Sequence, residues 1–157
     1  MIVVSNTTPL NYLILIGRSE ILSKLYQQVV IPKAVFNELT APSTPVMVRD
    51  WIADRPGWLT IQQAPPVIAG DMEEIQIGER QAIVLAKAIR ADYVLLDDRR
   101  ARQMAKHRGV NVVGTLGILI SAAEQDLTNL NEAIDALKKT SFRASPQLLE
   151  SLLNREG

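Results

Sequence analysis

The sequence predicts an α/β domain in which a parallel sheet is covered by helices on both faces. Three observations carry this. Ile2-Val3-Val4, Val29-Val30-Ile31 and Val94-Leu95-Leu96 are unbroken apolar runs, too short for helices and free of the alternation of a half-exposed strand. Longer segments with apolar residues three and four positions apart separate them, as helices between parallel strands should. Several strand ends give way to polar residues, SNTT after the first run, DD after VLL and GT after NVV.

The elements follow in order. A first strand covers residues 2–5. Pro9 suits the first turn of a helix reaching Ile16 and stopped by Gly17, because proline lacks only an amide that the first turn leaves unused. Ser19 should cap a second helix that runs to Tyr26. A strand at 28–31 leads through Pro32 into a helix at 33–39, and APSTP at 41–45 is a loop. A helix at 46–54 carries Trp51 and ends in Arg55-Pro56-Gly57, ahead of a short strand at 58–61. Residues 64–77 have no legible period. From Gly78 to Ile89 the apolar positions 82, 85, 86 and 89 mark one helical face. A strand at 93–96, a basic helix at 98–108 stopped by Gly109, and a strand at 111–113 come next. Thr115 should cap a helix to Ala123, and helices at 129–139 and 146–153 complete a single domain spanning residues 1–157.

Composition narrows the chemistry. Cysteine is absent and there is one histidine, His107, so disulfides, thiolate centres and histidine-rich zinc sites are excluded. A metal here must take oxygen ligands, which favours Mg2+ or Mn2+. Seventeen basic residues balance seventeen acidic ones, so only local clustering of charge is informative. With no basic leader and no apolar stretch near the length of a span, a cytoplasmic protein without a membrane partner is expected.

Right-handed crossovers place every strand's C-terminal end on one edge of the sheet, where such folds bind ligands. That edge receives Asn6, Asp97, Asp98 and Thr115. Glu38 and Glu79 join it through helix geometry, since each shares a face with apolar neighbours: Ala34 and Val35 for the first, Ala82, Ile83 and Ala86 for the second. Gathered carboxylates stay ionised only against a cation or several hydrogen bonds. A magnesium or manganese site for phosphodiester hydrolysis meets that need. Each acid also has an ordinary role open to it. Glu79 suits a helix N-terminus, Asp98 an N-cap beside a turn residue Asp97, and Glu38 a surface pair with Lys33 or an arginine.

As a set, VVSNTTPL, IPKAVFNEL, GERQAIVLAKAIRADYVLLDDRRAR and VVGTLGIL resemble the PIN-domain nucleases, in particular the bacterial branch related to the VapC toxins, of the DUF3368 type. The resemblance implies a three-layer α/β/α fold around a central parallel sheet. It also implies a Mg2+- or Mn2+-dependent endoribonuclease that leaves a 5'-phosphate and a 3'-hydroxyl. Such a protein would be the toxin of a type II toxin–antitoxin pair, a homodimer neutralised by a cognate antitoxin. By position the metal-binding motifs fall on Asn6, Glu38, Glu79 and Asp98, with Asp97 adjacent, and the catalytic carboxylates are Glu38, Glu79 and Asp98. Asn6 departs from the family's usual aspartate and offers a neutral carbonyl oxygen, which should lower metal affinity.

Arg99, Arg100 and Arg102, with Lys106 and Arg108, crowd the basic helix and could hold RNA phosphates, or form a solvated helix face. Ser5, Thr7 and Thr8 suit capping of the helix that begins at Pro9, while Thr7 and Thr115 could instead position a water or a phosphate. His107 reads as a surface residue. No aromatic platform for bases is apparent. A second reading is a lapsed PIN domain that binds RNA or a protein, for which Asn6 is the argument. A phosphatase of the dehalogenase type would need a nucleophilic aspartate at position 6, and a dinucleotide-binding domain would need a G-x-G-x-x-G after the first strand.

Overall fold

Val3 and Val4 sit in two different apolar clusters on opposite faces of one strand, and this alternation organises the molecule. The computed structural model describes residues 1–144 together with Leu148 and Leu149. Its strands are β1 (Ile2–Ser5), β2 (Gln28–Pro32), β3 (Leu59–Gln62), β4 (Tyr93–Leu95) and β5 (Val112–Val113). All pair in parallel, in the spatial order β3-β2-β1-β4-β5. The register sets Val4 beside both Val30 and Val94, so the strand centres form one apolar row.

The helices are α1 (Thr7–Leu15), α2 (Glu20–Tyr26), α3 (Lys33–Leu39), α4 (Val46–Ala53), α5 (Ile77–Ala88), α6 (Arg99–His107), α7 (Thr115–Glu124) and α8 (Leu130–Lys138). Val3, Val29, Ile31 and Leu95 face a core built from Leu10 and Leu13 of α1, Leu22 of α2, Ile52 of α4, Ile118 and Leu119 of α7, and Ile134 and Leu137 of α8. Val4, Val30, Val94 and Leu96 face the other core, with Ala82, Ile83, Leu85 and Ala86 of α5 and Ala101 and Ala105 of α6. The fold is therefore the expected three-layer α/β/α arrangement around a parallel sheet.

Strand order explains where a site can open. The chain leaves β1 for β2 and β3 on one side, then returns past β1 to β4 and β5 on the other. The loops leaving β1 and β4 diverge, and the space between them is a crevice at the C-terminal edge. The Asn6 backbone N–H closes that end by donating to the Leu95 carbonyl at 3.0 Å.

Several local expectations are corrected. α1 starts at Thr7, with Asn6 as its N-cap, so Pro9 lies inside the first turn rather than at its start. Ser19 does not cap α2 with its side chain, because it already has helical dihedrals that aim the hydroxyl elsewhere. Gly114 is the N-cap of α7, which leaves Thr115 as its first helical residue. Residues 63–76 carry no helix or strand, yet Met72 and Ile75 are buried and anchor the segment. The expected helix at 146–153 lies outside the described residues apart from Leu148 and Leu149.

Leu10 is fully buried in the larger core, so Leu10→Ala should cost about 2–5 kcal/mol in urea unfolding. Ile68, 76% exposed, should change stability by less than about 0.5 kcal/mol when replaced by alanine.

Candidate metal and nucleic-acid site

Asn6 has the dihedrals of an N-cap but does not behave as one. Its carboxamide makes no capping bond, although asparagine is among the best capping residues. The residue is only 5% exposed, and its side chain has no hydrogen-bond partner among the described residues. No buried side-chain nitrogen or oxygen among the described residues lacks a partner, so the Asn6 carboxamide opens onto the crevice, where water or a ligand takes up its bonding capacity. Ser5, its neighbour, is fully buried and donates to the Asn6 carbonyl at 2.9 Å.

Glu38, on α3, comes to the same place. Its Oε2 accepts from the Thr7 hydroxyl at 2.5 Å, which holds the carboxylate against the start of α1. Gly78, in the first turn of α5, makes the approach possible. A Cβ there would stand 2.9 Å from Glu38 Oε1 and 3.5 Å from Asn6 Oδ1, so both oxygens border a space that a side chain would fill. Gln81 adds a tether, its Oε1 accepting from the Ala34 backbone N–H at 3.1 Å and tying α5 to α3.

Glu79 follows Gly78 and is 7% exposed. Its Oε1 accepts from the Gln76 backbone N–H at 3.0 Å in a capping box, which leaves Oε2 uncommitted. Burial pushes its carboxyl above the usual range against the pull of that bond, and the charges of Asp98 and Glu38 push the same way. Asp98, after β4, is exposed, and its Oδ2 caps α6 by accepting from the Ala101 N–H at 2.9 Å.

Asp97 turns elsewhere. Its Oδ1 accepts from the Thr115 N–H at 2.7 Å and its Oδ2 from the Thr115 hydroxyl at 2.5 Å, so both oxygens fasten β4 to α7. Burial raises its pKa, while the two Thr115 bonds and the Arg102 guanidinium hold it down. Arg102 lies beside Gly114 and Asp97, away from Arg99 and Arg100. Those two line an open depression of about 520 Å³ with Asp98, Glu74 and Gln103.

The structure thus brings Asn6, Glu38, Glu79 and Asp98 to one crevice, with Thr7 supporting Glu38. It separates from them a clamp of Asp97, Thr115 and Arg102. Neither Thr7 nor Thr115 caps its own helix, since each hydroxyl bonds a carboxylate on a distant segment. Among the described residues no three acidic or histidine side chains are gathered tightly enough to cage an ion. Glu38 is half-buried and Asp98 exposed, so both have room to rotate inward. The donor set fits a hard divalent cation on three counts: every donor is oxygen, the Asn6 carboxamide meets the crevice with no partner among the described residues, and Gly78 leaves a cradle beside it.

A PIN-domain family model, DUF3368, matches residues 2–157. The chain belongs to this family. PIN domains are in general nucleases that bind nucleic acid and typically use divalent metals. A solved PilT N-terminus domain protein from the hyperthermophilic archaeon Sulfolobus solfataricus P2 is similar to this PIN domain in fold, with a TM-score of 0.55 and 21% identity. The match covers 79% of this chain and 95% of that one. No curated protein matches the sequence. No helix among the described residues is long and apolar enough to cross a membrane.

Sequence reading did not single out Gly78 as a cradle, Gln81 as a tether or Glu74 as a neighbour of Asp98. The GE pair opening α5 was the available signal for the first.

Two outcomes follow for this crevice. Gly78→Ala should keep the fold, because the close atom is the end of a flexible side chain, yet displace Glu38 and weaken Mn2+ binding in calorimetry. Glu79 has a folded pKa above its ordinary 4.5, so ionising it costs the folded state, and its drag on stability grows as pH rises from about that value through the raised one. Glu79→Gln should therefore raise the melting temperature of the metal-free protein at neutral pH, with the gain fading as pH falls to 4.5.

Proposed function

We propose that this PIN domain is a Mg2+- or Mn2+-dependent endoribonuclease, held to its cation by Asn6, Glu38, Glu79 and Asp98. The observation that carries the reading is the Asn6 carboxamide, which makes no hydrogen bond to the described residues and borders the same Gly78 cradle as Glu38. Bound there, the cation would supply positive charge against the phosphodiester and acidify a nearby water. Thr7 donates to one oxygen of Glu38, and the capping bonds at Glu79 and Asp98 each engage one oxygen, so the second oxygen of each carboxylate stays available to a cation. Arg99 and Arg100 would hold the RNA backbone at the lip, where neither side chain has a partner among the described residues. Asp97, Thr115 and Arg102 serve as a clamp that fixes the β4 turn carrying Asp98.

The wider role is read from the motif set alone. The protein would act in the cytoplasm as the toxin of a type II pair, as a homodimer neutralised by its antitoxin, cutting RNA to 5'-phosphate and 3'-hydroxyl ends. The neutral Asn6 supports one competing reading, a lapsed PIN domain that only binds.

Incubation of mixed RNA with Mn2+ separates the two. Glu38→Gln, Glu79→Gln and Asp98→Asn should each slow cleavage by at least about a hundredfold. Undiminished cutting by all three would remove the site assignment, and an inert parent would favour the binding module. In calorimetry Asn6→Asp should tighten Mn2+ binding, and unchanged affinity would show that Asn6 does not touch the ion.

A further inference from the structure

Residues 70–74, in the irregular segment ahead of α5, form one wall of an open groove whose other wall is α6. Arg100, Gln103, Met104 and His107 recur at three- and four-residue spacing and so share one helical face toward it. The groove encloses about 570 Å³, within the range of sites that take a small organic ligand. It continues into the depression beside Asp98, since Glu74, Arg100 and Gln103 line both. An ion pair between Arg108 and Asp71 at 2.5 Å pins the far wall to α6. Met72 is held in the left-handed region at φ +54°, a conformation that a non-glycine residue keeps only when its surroundings enforce it.

We propose that this groove is a subsite for one base of a single-stranded RNA, adjoining the scissile phosphate. The inference rests on the nuclease reading for where that phosphate lies. Chemistry assigns a base to the groove and a phosphate to its mouth. Arg100 stands where groove and depression join and is suited to the backbone. At the same junction, the carboxylate of Glu74 is an acceptor suited to an exocyclic amino group of the base rather than to a phosphate. Met104, half-buried, borders the groove with a polarisable thioether side chain, against which a flat heteroaromatic ring packs without needing an aromatic partner. Gln103 and His107 are exposed and have no partner among the described residues, so their donors and acceptors are free for the edge of a base.

The test uses the full chain and fluorescein-labelled RNAs of about eight nucleotides, a length within single-strand site sizes, each with one position in turn made abasic. Binding is read by anisotropy in EDTA and cleavage separately in Mn2+. The parent should lose about fivefold in affinity when one particular base is removed, the worth of one polar contact. The double variant Gln103→Ala/His107→Ala, changed only at exposed positions, should bind intact RNA with that same loss and be indifferent to the abasic position. In cleavage it should show raised KM and unchanged kcat. Equal affinity of parent and variant for intact RNA overturns the subsite, as does a parent indifferent to every base. A parent that discriminates among the RNAs but leaves them uncut in Mn2+ overturns the nuclease reading and retains the subsite.

Discussion

When β1 pairs with β4, the amide of Asn6 reaches the carbonyl of Leu95, and the ends of two strands distant in sequence meet at the mouth of one crevice. A slip of one residue in that pairing would exchange the faces of Val3 and Val4, exposing both cores to the wrong helices and turning Asn6 out of the crevice. The two apolar clusters therefore protect the register, and the register places the polar edge. Packing of α5 across β1 and β2 then brings Glu79 beside Asp98, and packing of α3 on α5 brings Glu38 to Gly78.

The ordinary and functional readings of the acids do not exclude each other. Glu79 closes a capping box and Asp98 caps α6, as their positions in the sequence allow. Each cap engages one carboxylate oxygen. The second oxygen of each is left uncommitted, so a role in capping a helix is compatible with the proposed role toward a cation.

Strands and helices were legible because an unbroken apolar run and a three-to-four period leave different traces in a sequence. The edge cluster was legible because parallel topology sends every strand end the same way. The partners of hydroxyls were not. Thr7 bonds a carboxylate 31 residues away and Thr115 one 18 residues away, and local spacing carries no trace of either. Asp97 and Asp98 look equivalent as neighbours in a turn, yet one faces α7 and the other caps α6. Arg102 separates from Arg99 and Arg100 for the same reason. Residues 63–76 lack a period because nonlocal contacts hold them: the burial of Met72 and Ile75 and the pairing of Asp71 with Arg108.

On the proposed function, the carboxamide at position 6 would also set the charge that an incoming phosphodiester meets. With a divalent cation in the crevice, three carboxylates and a neutral amide would leave one net negative charge, where four carboxylates would leave two. At about 4 Å and an effective dielectric of about 20, the extra charge would oppose the phosphate by about 4 kcal/mol. Under the proposed function, asparagine would thus shift the electrostatic balance of the crevice away from gripping a cation and toward admitting a polyanion.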